Sequence, residues 1–217
     1  MEQRIDLKQL ERKVWTSFFE DGIWDIYLGI LLAAMAVGAL LSDIKAPEAA
    51  LISSYAVLMC IALLFLLLGK RFITMPRIGR VNYGPEAKAR KGKATIVLTF
   101  SLLVGLLAFI IAVLGARESI SRTLSTDVLL PALWVGNMLI VFSLAAYFLR
   151  YNRLYFIGLM FAICIPLDIV LTILTQRDLT VVAFGIPAIV ILIMGGVAFL
   201  RFLHKYPIST EEITDEN

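Results

Sequence analysis

Hydrophobic residues in this chain come in long blocks, not at the two- or four-residue spacings of a half-buried surface. Six stretches, at about 23–42, 48–69, 94–115, 127–149, 154–174 and 181–201, are almost wholly apolar. A helix needs roughly 20 such residues to cross a hydrocarbon core of about 30 Å. Short polar gaps between most of the stretches make successive helices antiparallel. Inside lipid every backbone N–H and C=O must find an internal partner, so stretches of this kind span as helices. The expected fold is all-α: a polytopic transmembrane bundle of about six spans.

Apart from the short connections, what lies outside the spans is residues 1–20, 70–93 and 202–217. Each piece is shorter than the roughly 40 residues at which a chain begins to hold its own core. No separate soluble domain is expected. Residues 3–20 place Leu7, Leu10, Val14, Trp15 and Phe18 at three- and four-residue spacing opposite a charged face. That pattern predicts an amphipathic helix lying in the interface, with Trp15 at headgroup depth. It differs from the short apolar run of a cleavable signal peptide. Gly22 lets the chain turn, and Trp24 and Tyr27 mark the first turns of the first span. The chain thus divides into an interfacial helix at 1–22, a bundle at 23–201 carrying a basic loop at 70–93, and an acidic tail at 202–217.

Composition agrees with the blocks: 60% of residues are hydrophobic and 17% charged, less charge than a water-facing domain carries. The net charge of +3 hides a strong polarity. With the N-terminus inside, all but Lys45, Arg117, Arg122 and Arg177 of the 20 Lys and Arg fall on one side. Positive charge sets orientation, so both termini are expected in the cytoplasm. The basic residues read as topology signals and as contacts for anionic lipid headgroups, and nucleic acid is not an expected partner. Cys60 and Cys164 fall within spans, where cysteine usually serves as a small apolar side chain.

The run LKQLERKVWTSFFEDGIWDIYLGI, followed after two hydrophobic spans by MPRIGRVNYGPE, resembles a family of uncharacterised prokaryotic integral membrane proteins. Those proteins pair an acidic-Gly-aromatic-Asp opening with a Pro-Arg-x-Gly loop. The resemblance covers roughly the first 90 residues and implies a bacterial or archaeal inner membrane. It carries no activity.

The loop at 70–93 holds more than charge. Pro76 and Gly79 are expected to bracket a tight bend presenting Arg77 and Arg80, with a short extended segment through Val81 and Tyr83. Gly84-Pro85-Glu86 reads as a helix start, so the third helix should begin near Pro85 and carry Lys88, Arg90, Lys91 and Lys93 down to the headgroups. These six cations make either a docking surface for an anionic lipid or acidic partner, or an ordinary positive-inside loop. Glu211, Glu212, Asp215 and Glu216 of the tail are able to fold back on it at up to about 1 kcal/mol per exposed pair.

Two groups of polar residues are candidates for chemistry. Glu20, Asp21 and Asp25 gather where the first span begins. They form either a cation or proton site at the membrane edge, or acids that neutralise the helix N-terminus and pair with basic loop residues; the second reading is favoured because nothing completes a metal shell. Asp168 is the clear acid within a span, and such a residue is a functional suspect by default. It follows Pro166, which leaves an upstream carbonyl unpaired, and Asn137 of the fourth span is its expected hydrogen-bond partner. The alternatives are an acid reaching the outer headgroups or pairing with Arg177, and an Asn137 that serves only as helix–helix glue. Gly29 with Ala33, and Ala34 with Gly38, predict close helix approach and a central place for the first span. Pro187 and its neighbouring glycines soften the last one.

No HExxH, Cys/His metal spacing, GxSxG or phosphate loop occurs, and His204, the single histidine, lies at the end of the last span. Catalysis, cofactors and bound metal are therefore not expected. No continuous polar stripe marks a wide pore. LLLGKRF, AYFLRYNR and AFLRFLHK end the even-numbered spans alike, a hint of three related hairpins. The expected role is that of a non-catalytic inner-membrane protein whose basic cytoplasmic face engages anionic lipid or a partner protein. The rival is a small proton- or cation-coupled transporter using Asp168. A lipid enzyme using Glu20, Asp21 and Asp25 is a third reading, and homo-oligomers or an unknown membrane partner stay open.

Overall fold

The computed structural model of the chain describes residues 19–78, 85–116 and 129–207, and these residues form helices and short turns without strands. The elements are α1 (Ile23–Asp43), α2 (Glu48–Leu68), a π-helix (Gly69–Thr74), α3 (Met75–Ile78), α4 (Pro85–Ala116), α5 (Leu130–Leu149), α6 (Arg153–Thr175) and α7 (Thr180–Lys205). Five helical stretches among the described residues are long and apolar enough to cross a membrane: α1, α2 with its continuation to Ile78, α5, α6 and α7. The sixth expected span lies in α4, whose described apolar part is Thr95–Ala108. This is an all-α multi-pass membrane bundle. The amphipathic arm, except for Phe19 and Glu20, and the acidic residues of the tail lie outside the described residues.

Each helix stops where its sequence lets it. Lys45, Arg150 and Gln176 take a left-handed conformation just beyond the ends of α1, α5 and α6, the usual way of closing the last turn. Pro131 stands in the first turn of α5 and Pro47 caps α2, positions where a missing N–H costs nothing.

The helices pack in the spatial order α2, α1, α7, α6, α5, α4, so the first and last spans sit side by side in the middle. Small residues make that seam. A Cβ on Gly29 would stand 2.8 Å from the Leu192 side chain, and one on Gly195 would stand 2.8 Å from Ile26. Gly38 similarly admits the Tyr55 ring of α2. The small-residue spacing in α1 thus reports a real central position. The core gathers at α1, α6 and α7 around Leu32, Ile157, Cys164, Ala183 and Ile191, all fully buried. Aliphatic side chains of α2 and α4, such as Ile52, Leu67, Leu102 and Leu103, stay exposed, as faces turned to lipid do.

The long basic loop differs from its expectation. α2 does not end at position 69: it widens into the π-helix and runs on through α3. Pro76 sits inside that continuation instead of opening a bend. Its ring nitrogen offers no hydrogen bond to the preceding turn, and the widened turn lies immediately upstream. The Met75 N–H bonds the Lys70 carbonyl, the five-residue step of a π-helix. The third helix starts at Pro85, as its sequence indicates. Gly79, Arg80, Val81 and Tyr83 lie outside the described residues.

Candidate functional site

The three acids that open the first span converge with three bases from distant parts of the chain. Each of the bases belongs to one of the look-alike basic stops. Asp21 is fully buried and meets Lys70, which follows α2. Asp25 is fully buried and meets Arg153, which opens α6. Glu20 meets Lys205 at the end of α7, with both side chains exposed. The resulting polar clasp ties α1 to the ends of α2, α6 and α7.

Asp21 stands just ahead of α1. Its Oδ1 accepts the Ile23 N–H at 3.1 Å, satisfying one orphan donor of the helix N-terminus. Its Oδ2 accepts both the Lys70 ammonium and the Thr74 hydroxyl at 2.6 Å. Lys70 and Thr74 are four residues apart, nearly one turn of the widened helix, so both point to the same carboxylate. Widened helices of this kind are rare and concentrate at functional sites.

Asp25 lies one turn further along α1. Its Oδ2 accepts Arg153 Nη1 at 2.6 Å, and its Oδ1 accepts the Tyr151 hydroxyl. Arg153 is held a second time, donating from Nη2 to the Phe19 carbonyl at 2.9 Å. The Phe19 ring stacks on Tyr151 with centroids 5.4 Å apart, and Lys70 Nζ lies 5.9 Å from its centre. Phe19 thereby contacts a member of each buried group, Tyr151 on one side and Lys70 on the other. Gly22 turns the chain between Asp21 and α1 with φ of +69°, and a Cβ there would meet the Gly195 carbonyl and the Phe199 N–H of α7. Only glycine fits that approach.

Of the two readings of this acidic cluster, the geometry matches the pairing with basic residues. Each carboxylate oxygen of Asp21 and Asp25 has a donor from the protein itself. Among the described residues no group of three His, Cys, Asp or Glu side chains is placed to hold a metal.

Asp168 and Asn137 do not meet, which corrects the expected hydrogen bond. Asn137 Nδ2 donates to Ser101 Oγ of α4 at 3.1 Å, joining the fourth span to the third. Asp168 is half-buried and accepts the Thr180 hydroxyl at 2.8 Å, joining α6 to the start of α7. Thr180 also contacts Asp178 through its hydroxyl and its N–H, which holds the Asp178 carboxyl below its ordinary range. Trp134 Nε1 donates to the Phe161 carbonyl at 2.9 Å, one residue before the carbonyl that Pro166 releases.

The six loop cations spread along a helix end rather than a bend. Arg77 lies half-buried in α3, its Nε without a hydrogen-bond partner among the described residues. Lys88, Arg90 and Lys91 fall in the first turns of α4, Lys93 is exposed one residue later than Gly92, and Arg80 lies outside the described residues. Beside the clasp opens a cleft of about 500 Å³, lined by Glu20, Arg153, Arg201 and Lys205 at one end and by Met194 and Val197 at the other.

The residues that sequence reasoning missed are Lys70, Thr74, Tyr151, Arg153 and Lys205. The signal for three of them was present: the even-numbered spans end in basic residues, and three acids await them at the start of the first span. No protein-family model, curated protein or solved structure matches this chain, so the likeness of its opening and loop to uncharacterised prokaryotic membrane proteins rests on those residues alone.

Proposed function

We propose that this is a non-catalytic multi-pass protein of a prokaryotic inner membrane whose basic, cytoplasmic face engages anionic lipid headgroups. The observation that carries this reading is the division of charge at that end. The acids Glu20, Asp21 and Asp25 are each taken by one base. Arg71, Arg77, Arg150 and Arg201 have no ion-pair partner among the described residues, and all but the half-buried Arg77 are exposed. Cations at a membrane surface attract anionic headgroups with about 1 kcal/mol each. The clasp supplies a rigid platform and leaves the surplus charge facing outward.

The transporter reading has less support, because Asp168 anchors the α6–α7 connection through Thr180 and has no contact with Asn137. The lipid-enzyme reading needs a free carboxylate, and those of Asp21 and Asp25 are occupied.

The test is lipid composition. The protein is extracted into polymer nanodiscs with its surrounding bilayer, and the ratio of phosphatidylglycerol to phosphatidylethanolamine is measured by mass spectrometry. A variant with Arg71, Arg77, Arg80, Lys88, Arg90, Lys91 and Lys93 changed to Gln should lose the enrichment in the anionic lipid. An unchanged ratio removes the proposal.

A further inference from the structure

The cleft beside the clasp has the shape and polarity of one particular occupant. It runs along α7 from Arg201 and Lys205 to Val197 and Met194, positions spaced three and four apart and so on one helix face. From Arg201 to Met194 the helix rises about 10 Å. The charged end lies at the clasp, and the apolar end points along the helix into the bundle's depth. A second groove of about 540 Å³ flanks the other side of Arg201 and is lined by Val197, Leu200, Arg201, His204 and Lys205. The two grooves share Val197, Arg201 and Lys205, so each joins an apolar wall to the same pair of cations.

The charges in the cleft resolve to a single one. Arg153 is offset by the buried Asp25, and its Nη1 and Nη2 are both committed. Lys205 is offset by Glu20. Arg201 is exposed and has no ion-pair or hydrogen-bond partner among the described residues. The cleft thus holds one uncompensated positive charge on a planar donor suited to phosphate, with Lys205 close by on a surface pair that exchanges readily.

We infer that this cleft is a binding site for one anionic phospholipid, with its phosphodiester on Arg201 and its two acyl chains in the grooves on either side of Val197. This rests on the lipid-engaging reading above and deepens it from a diffuse surface to a defined site. Neutralising Glu20 would strengthen the site, since that acid shares the cleft and competes for Lys205.

Native mass spectrometry in detergent tests it, with phosphatidylglycerol or phosphatidylcholine added to the purified full chain. The wild type should retain one phosphatidylglycerol and not phosphatidylcholine. Arg201→Gln should weaken that retention roughly tenfold or more, the effect of one charge-assisted hydrogen bond, and Arg201→Lys should restore part of it. Val197→Trp, whose larger side chain intrudes on both grooves, should also release the lipid. The variant with seven loop cations changed to Gln should keep it. Equal retention of phosphatidylcholine, or undiminished retention by both Arg201→Gln and Val197→Trp, overturns the site. Release by Arg201→Gln with Val197→Trp silent overturns the lipid assignment, because a headgroup alone would then account for binding. If the loop variant loses its lipid enrichment while Arg201→Gln changes nothing, the general reading stands without the cleft. If neither variant changes anything, both fail. Thermal melting of each variant checks folding; Arg201 is exposed and has no ion-pair or hydrogen-bond partner among the described residues, so its replacement should leave melting unchanged.

Discussion

Lys70 and Asp21 show how much one pair commits the fold. Both side chains are withdrawn from solvent, at 10% and 0% exposure, so removing Lys70 leaves the Asp21 carboxylate buried without a paired charge among the described residues. The cost of breaking such a pair is about 3–5 kcal/mol, whereas exchanging the whole pair for apolar residues is often neutral or stabilising. Lys70→Met should therefore lower the melting temperature of the purified protein sharply, and Asp21→Leu combined with Lys70→Met should recover only part of the loss, because the buried Ile23 N–H and Thr74 hydroxyl then lack their acceptor. Arg153→Gln should cost less, because its side chain is 28% exposed and the Tyr151 hydroxyl still serves Asp25. A double variant as unstable as Lys70→Met alone would mean that the pair sets geometry as well as charge. Single residues announce their type in a sequence but not their partner. Asp21 and Lys70 are separated by 49 positions, and only the packing of α1 against α2 brings them together.

At the scale of elements, the helices were legible and their contacts only partly so. Long apolar runs locate spans because length and hydropathy suffice, and the start of α4 at Pro85 follows from proline's place in a first turn. The π-helix was not legible. Pro76 just downstream interrupts the hydrogen-bond ladder, but the Asp21 carboxylate that Lys70 and Thr74 share is a tertiary contact that no local propensity encodes. The seam between α1 and α7 lies between these cases: the small residues of α1 were visible, while their partners in the last span were not. Glycines in α7 separate the two roles. At Gly195 a Cβ would come within 2.9 Å of the Asp25 Cβ and the Ile26 backbone N, and at Gly196 nothing lies within 4 Å. Gly195→Ala should therefore wedge the helices apart at about 1–3 kcal/mol, lowering the melting temperature and loosening the clasp. Gly196→Ala should be neutral or slightly stabilising, since alanine is the better helix former. Equal effects of the two substitutions would mean that the α1–α7 contact is not close-packed.

The molecule is a row of helices, and among the described residues its ion pairs and the Asp168–Thr180 contact lie toward the two ends. The clasp joins the ends of α2, α6 and α7 to the start of α1, and the Asp168–Thr180 contact lies near the α6–α7 connection at the opposite end. Charge counting along the sequence predicts that the clasp end faces the cytoplasm, because with the N-terminus inside all but four of the 20 Lys and Arg would fall on that side. Single cysteines test that orientation. In a background of Cys60→Ala and Cys164→Ala, Glu48→Cys places an exposed thiol at the start of α2, and Asn152→Cys places one between α5 and α6. A membrane-impermeant maleimide should label position 48 in intact cells and position 152 only after lysis. Labelling of both from one side would contradict the antiparallel course of the helices. The reverse pattern would turn the clasp and Arg201 to the outer leaflet. The bundle would then be unchanged, but its lipid would have to come from the other face of the membrane, and the positive-inside assignment would be the step that failed.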